Sequence, residues 1–221
     1  MKTLTTPKSE DWNQYWALDQ TKRFTQVSWS KRRILHVLRK YVKKDGKALD
    51  AGCGSGFFSK FFCDEGMQTW ALDFSEKALN MAQSITDGRC QLVQANLVDG
   101  TLSEKRHERF DVIFSDGLFE HFYQSDQDKI VLNLLSVLSE TGALITFVPN
   151  RWSPWELIRP FYMPGIEEKP FILQELLNLN ERNGMKVIER GGINTFPFPF
   201  SPDHLVGQFW GMLLFTVARK R

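Results

Sequence analysis

Residues 47–59 read KALDAGCGSGFFS. A short apolar run ends in an acid and breaks into alternating glycines, after which Phe57, Phe58, Phe61 and Phe62 recur at helical spacing. The pattern predicts a strand that enters a tight turn and leaves as a helix. The backbone at Gly52, Gly54 and Gly56 is then left bare for a ligand. A glycine turn with no ligand fits the same letters, so the residues around it must decide.

Downstream, residues 68–72 form a second apolar run that ends at Asp73, about 20 residues beyond the loop. A carboxylate there sits at the tip of the adjacent parallel strand and can accept hydrogen bonds from both hydroxyls of a ribose. Ser75 caps a helix over 76–84, and 90–95 reads as a third strand ending at Asn96 and Leu97. Residues 110–115 are a fourth, delivering Ser115, Asp116 and the run GLFEHF to the same edge. A helix over 126–138, Gly142 and a strand over 143–148 repeat the unit. This alternation predicts an α/β fold, a parallel sheet with helices on both faces. Ligands then bind outside the carboxyl ends of the strands, where Asp50, Asp73 and Asn96 fall.

The flanks carry aromatics. Residues 1–27 are polar but include Trp12, Tyr15, Trp16 and Phe24, so they are expected to fold back onto the domain. Ser30 is the expected cap of a helix reaching about residue 44. One face carries Ile34, Leu35, Val37, Leu38, Tyr41 and Val42, and a basic face from Lys31 to Lys44 reads as solvated. Residues 149–170, with Trp152, Trp155 and Tyr162, lose periodicity and read as a lid. A helix over 171–183 and a strand over 185–189 follow. Residues 194–204, NTFPFPFSPDH, hold Phe198 and His204 and form a second aromatic loop that three prolines keep out of regular helix. A last strand over 210–218, reached without a crossover helix, should pair antiparallel. The 221 residues fit one domain, with an N-terminal cap and helix at 1–45, a ligand-binding core at 46–148 and lids at 149–170 and 194–210.

A net charge of +2 does not imply a nucleic-acid partner and leaves weak contact with a membrane surface open. No run of about 18 apolar residues occurs, so no transmembrane segment is expected. Cys53, Cys63 and Cys90 are scattered without a CxxC pair, and the N-terminus lacks the apolar core of a signal peptide. Reduced thiols, a cytoplasmic location and no structural metal are the expectations.

Three ligands compete for the loop. No GKS or GKT follows the glycines, which disfavours a nucleotide triphosphate. A dinucleotide would bring pyrophosphate to the loop, yet Asp50 stands at its mouth and Phe57 occupies the place of a third glycine. S-adenosylmethionine has no phosphate, and its ammonium and sulfonium are attracted by an acid. At this point LDAGCGSG at 49–56 resembles the glycine-loop signature of the class I S-adenosylmethionine-dependent methyltransferases, and FDVIFSDGLFEHF at 110–122 resembles the fourth-strand segment of their small-molecule branch. The resemblance implies strand order 3-2-1-4-5-7-6 with strand 7 antiparallel. It implies that Asp50 helps hold the methionine ammonium, that Gly52, Cys53, Gly54 and Gly56 form the loop, and that Asp73 takes the ribose. Phe74, Asn96 and Leu97 would lie by the adenine, with Ser115 and Asp116 at the fourth strand end. A related quinone-precursor O-methyltransferase group uses a Glu-x-x-Glu-His metal set. Position 117 is glycine here, so no metal is expected.

In-line methyl transfer needs an aligned nucleophile and excluded water, and a hydroxyl acceptor profits from a base. His121 is the histidine placed at the active edge, as base or as packing. Trp16, Trp152, Trp155, Tyr162, Phe198 and His204 are the candidate walls for the acceptor, which their character suggests is a small apolar or aromatic molecule. A lipid-like acceptor and a non-catalytic S-adenosylmethionine-binding protein remain open beside it.

Overall fold

The computed structural model describes residues 8–100, 102–105, 108–162 and 168–221, with 105 and 159–162 described by their backbone alone. Seven strands form one sheet: β1 (Lys47–Ala51), β2 (Gln68–Asp73), β3 (Gln91–Gln94), β4 (Phe110–Asp116), β5 (Leu138–Pro149), β6 (Met185–Ile193) and β7 (Leu213–Lys220). Their order is 3-2-1-4-5-7-6. The first five run parallel, and β7 is antiparallel to both its neighbours. Around them lie α1 (Ser9–Trp16), α2 (Trp29–Leu38), α3 (Phe57–Asp64), α4 (Glu76–Ile85), α5 (Leu102–Lys105), α6 (Gln124–Val137), α7 (Trp155–Tyr162), α8 (Leu173–Arg182) and α9 (Asp203–Trp210).

The central strands are apolar on both faces because they feed two cores. Leu49, Ile113 and Leu144 enter one with α6 and α8, while their neighbours Ala48, Val112, Phe114 and Ile145 enter the other with α2 and α3. That is the two-residue alternation of a strand, made invisible in the sequence by helices on both sides. The register sets Asp50 beside Ala71 and Phe114, so the ends of β1, β2 and β4 finish together and carry Asp50, Asp73 and Asp116 to one edge.

Several boundaries differ from the sequence expectation. α2 starts two residues earlier, with the Ser28 hydroxyl accepting from the Lys31 amide at 3.3 Å, and ends at Leu38 rather than near 44. Beyond it the chain tightens into three-residue turns, and Asp45 adopts a left-handed φ of 62°. Gly142 is not a spacer, since β5 begins at Leu138. A Cβ on Gly142 would lie 2.7 Å from the Phe110 carbonyl oxygen, at the point where the β4–β5 register shifts, so the glycine lets the two strands touch. The lid expected at 149–170 contains α7, and 194–210 contains α9 once Pro202 is passed. β6 and β7 are therefore joined through a helix, yet they still pair antiparallel. No helix of the described residues is long and apolar enough to cross a membrane.

Candidate active site

A cavity of about 670 Å³ opens at the carboxyl ends of the strands. At one end, Gly52, Gly54 and Gly56 have φ of 74°, 50° and 73°, which a side chain would strain. The turn this permits aims the Gly54 amide at Asp73 Oδ2 (3.0 Å), while the Ser75 amide reaches Oδ1 (2.9 Å). Each carboxylate oxygen keeps a lone pair for a further donor. Burial raises the Asp73 pKa, with those backbone donors opposing it. Asp50 is 2% exposed and accepts from the Ser59 hydroxyl at 2.6 Å. Burial pushes its carboxyl up to about 7 against that hydrogen bond. Cys53 nearby is a buried thiol whose pKa burial raises well above its ordinary value.

The cavity wall includes Asp50, Gly52, Cys53, Gly54, Asp73, Phe74, Asn96, Leu97, Asp116, His121, Trp16 and Trp155 from the sequence reading. Asn96 is fixed as a cap, its Oδ1 accepting from the Val98 amide at 3.1 Å and its Nδ2 donating to Asp99 at 3.0 Å. Gly56 is not in the wall. Its Cβ would fall 2.4 Å from the Cα of Ala82, so this glycine lets α3 pack on α4 rather than admitting a ligand. Ser115 is buried behind the wall, and Trp152, Phe198 and His204 are exposed outside it. Tyr162 ends α7, and its side chain lies outside the described residues.

The N-terminal stretch is expected to fold back onto the domain, and the structure shows how its helix is fastened there. α1 lies across the site: Asn13 Oδ1 accepts from the Ser75 hydroxyl at 2.8 Å, and the Trp16 ring sits where a Gly54 Cβ would be, 2.6 Å from it. Lys31, assigned to a solvated face, turns into the wall. Its ammonium donates to the carbonyls of Phe24 and Gln26 and lies 4.1 Å from the Phe57 ring centroid. Burial lowers it to about 8 against the pull of Asp116, whose own carboxyl burial raises to about 6. Four more cations of that basic face form ion pairs, Arg33 with Asp203, Arg39 with Glu65, Lys40 with Glu189 and Lys43 with Asp111.

At the other end, His121 is buried, with Trp12 of α1 meeting its ring edge-on at 4.9 Å. Glu120, His121 and Glu168 each bring a ligand atom within 4.8 Å of the others. Glu168 is presented there because the adjoining Lys169 amide bonds the Glu120 carbonyl at 2.9 Å. A Cβ on Gly117 would lie 3.5 Å from Glu120 Oε1, so a side chain at 117 would adjoin the same cluster. The third donor comes instead from far along the chain, which no local motif reveals. Two carboxylates and an imidazole can share a proton or hold a divalent cation.

Residues 48–142 match the family model of a methyltransferase domain. Over that stretch, a little under half of its length, the chain is similar to that family. Over 119 residues it is 24% identical to a ubiquinone biosynthesis O-methyltransferase of Coxiella burnetii, covering 54% of this chain and 50% of that protein. Over 103 residues it is 31% identical to a probable S-adenosylmethionine-dependent methyltransferase of Mycobacterium tuberculosis, covering 47% and 35%. It thus matches half or less of these relatives' length. The methyltransferase fold extends beyond the matched stretch. The N-methyltransferase NodS of Bradyrhizobium japonicum WM9, solved with S-adenosylhomocysteine, superposes with a TM-score of 0.69 at 15% identity, over 96% of this chain and 97% of that one.

Proposed function

We propose that the chain transfers the sulfonium methyl of S-adenosylmethionine to a hydroxyl of a small apolar or aromatic acceptor. The observation that carries this is Asp73: its oxygens are fixed by the Gly54 and Ser75 amides at the wall of a cavity whose far end holds a buried imidazole cluster. In this reading Asp73 receives the ribose hydroxyls, Phe74 and Leu97 flank the adenine, and Asn96 accepts from its amine through the second lone pair of Oδ1. Asp50 faces the ammonium, with Asp116 adding to the negative field that favours a cationic donor.

The reaction breaks the methyl–sulfonium bond and forms a methyl–oxygen bond, leaving a neutral thioether. His121 takes the hydroxyl proton, and Glu120 and Glu168 stabilise the imidazolium. Trp12, Trp16 and Trp155 exclude water from the transfer. The domain layout follows, with 1–45 as cap, 46–148 as donor-binding core, and 149–170 and 194–210 as lids. The names of the Coxiella and mycobacterial relatives support methyl transfer, and the former supports oxygen as the acceptor atom. Free Cys53, Cys63 and Cys90 suit a reducing cytoplasm.

Calorimetry with S-adenosylmethionine, followed by turnover on a panel of phenols and other hydroxyl compounds, tests the reading. Binding lost in Asp73→Ala supports it. Tight NAD binding, or S-adenosylmethionine binding indifferent to Asp73→Ala, overturns it.

A further inference from the structure

Large apolar side chains are exposed mainly in segments that also contribute to the cavity wall. Of the fifteen exposed large apolar residues among those described, eleven fall in three short segments, 27–29, 152–158 and 196–210. Leu157 is 79% and Phe200 93% exposed. Each segment also contributes to the cavity wall, through Val27 and Trp29, Trp155, and Pro197. They are tied together. Arg33 of α2 donates to the carbonyls of Phe196 and Phe198, and Asn150, just before the second segment, donates to the carbonyls of Phe209 (3.0 Å) and Gly211 (2.9 Å). Residues beside the first and second segments thus hold the third, and exposed apolar side chains gathered in linked segments at a cavity mark a contact site.

Its charge pattern says what it contacts. These segments contain two carboxylates, and both are drawn inward. Asp203 accepts from the Asn194 and Thr195 amides and the Ser201 hydroxyl and pairs with Arg33, while Oε1 of Glu156 is buried. A cation just beyond the first segment is displayed instead: Arg32 is exposed, with its guanidinium 5.4 Å from the Trp29 ring centroid. Aromatics flanked by displayed guanidinium, with carboxylates withdrawn, suit the boundary between acyl chains and anionic headgroups. A second copy seated on the rim would plug the cavity. A bilayer covers the same surface while leaving an apolar path from its interior into the cavity.

We propose that the rim formed by 27–29, 152–158 and 196–210 docks the chain onto an anionic bilayer, from which a lipophilic acceptor enters the cavity. The docking stands on the surface alone; the delivery of an acceptor rests on the methyl-transfer reading above.

Flotation with vesicles of phosphatidylcholine, with and without phosphatidylglycerol, tests it on the full chain. Binding is expected to rise with phosphatidylglycerol, and Arg32→Gln to remove much of that rise. The double change Phe200→Ser with Phe209→Ser should lower the partition coefficient about 100-fold, from the apolar area it removes. Both side chains are exposed, so the unfolding midpoint and the affinity for S-adenosylhomocysteine should stay as in the parent chain. No flotation at low salt, flotation indifferent to the double change, or a dimer in light scattering that the same change dissolves would each overturn the docking. S-adenosylhomocysteine binding without vesicle binding removes the docking and leaves the donor assignment. Vesicle binding without S-adenosylhomocysteine binding keeps the docking and removes acceptor delivery.

Discussion

The two ends of the cavity are built by different means. The Asp73 end is made of main chain: two amides aim at one carboxylate, three glycines take conformations that side chains resist, and the strand register holds all of them. The His121 end is made of side chains from distant segments, with Trp12, Glu120 and Glu168 converging on one ring. A donor site of the first kind tolerates little variation because each atom belongs to the fold. A site of the second kind can change its occupant by exchanging side chains, with the sheet untouched.

Substitutions can break this contrast. The largest expected effect is at the main-chain end, where Asp73→Ala should weaken S-adenosylmethionine binding by about 100-fold or more, since a charged acceptor for two hydroxyls is lost. Calorimetry reads it directly. At the other end, His121→Ala should slow turnover about 100-fold with donor affinity unchanged. A fall in donor affinity would show that the two ends are one site. Dialysis against a chelator sharpens the same point: turnover that survives it assigns Glu120, His121 and Glu168 to a proton, and turnover restored only by Mn²⁺ assigns them to a cation.

Trp16 joins the two constructions, so Trp16→Ala is expected to cost about tenfold in donor affinity through lost packing on Gly54, a smaller effect than Asp73→Ala.

The smallest expected effect is a proton. Asp50 has its folded pKa raised to about 7 by burial, so the stability this confers is present at low pH and lost as pH rises from the ordinary carboxylate range through 7. An ammonium beside it favours the ionised form and reverses that loss. Donor binding near neutral pH should therefore release a fraction of a proton, seen as a dependence of the calorimetric enthalpy on the buffer, and the release should shrink in Asp50→Asn. The thermal shift given by the donor should likewise be larger near pH 8 than near pH 6.

The same contrast decides what the sequence can reveal. Asp50, the glycines, Asp73 and Asn96 are each a strand end or the loop after one, so spacing along the chain places them. Gly56 shows the limit even here, for its neighbour Ala82 lies on the next helix and only packing tells its purpose from that of Gly54. Lys31 read as solvated because helical periodicity places a residue on a face without saying what covers that face. The carbonyls of Phe24 and Gln26 do. Glu168 had no signal at all, since it reaches Glu120 through the pairing of a neighbouring amide across the fold.

α1 has a consequence for turnover. Trp12 and Trp16 stand one helical turn apart, one against His121 and the other on Gly54, and Ser9 and Asn13 fasten the helix to the Phe74–Ser75 turn. Any swing of this helix uncovers both ends of the cavity together. On the methyl-transfer reading proposed above, spent donor and methylated product would leave through a shared motion, and the exchange rates of two chemically unrelated molecules would be bound to the flexing of eight residues.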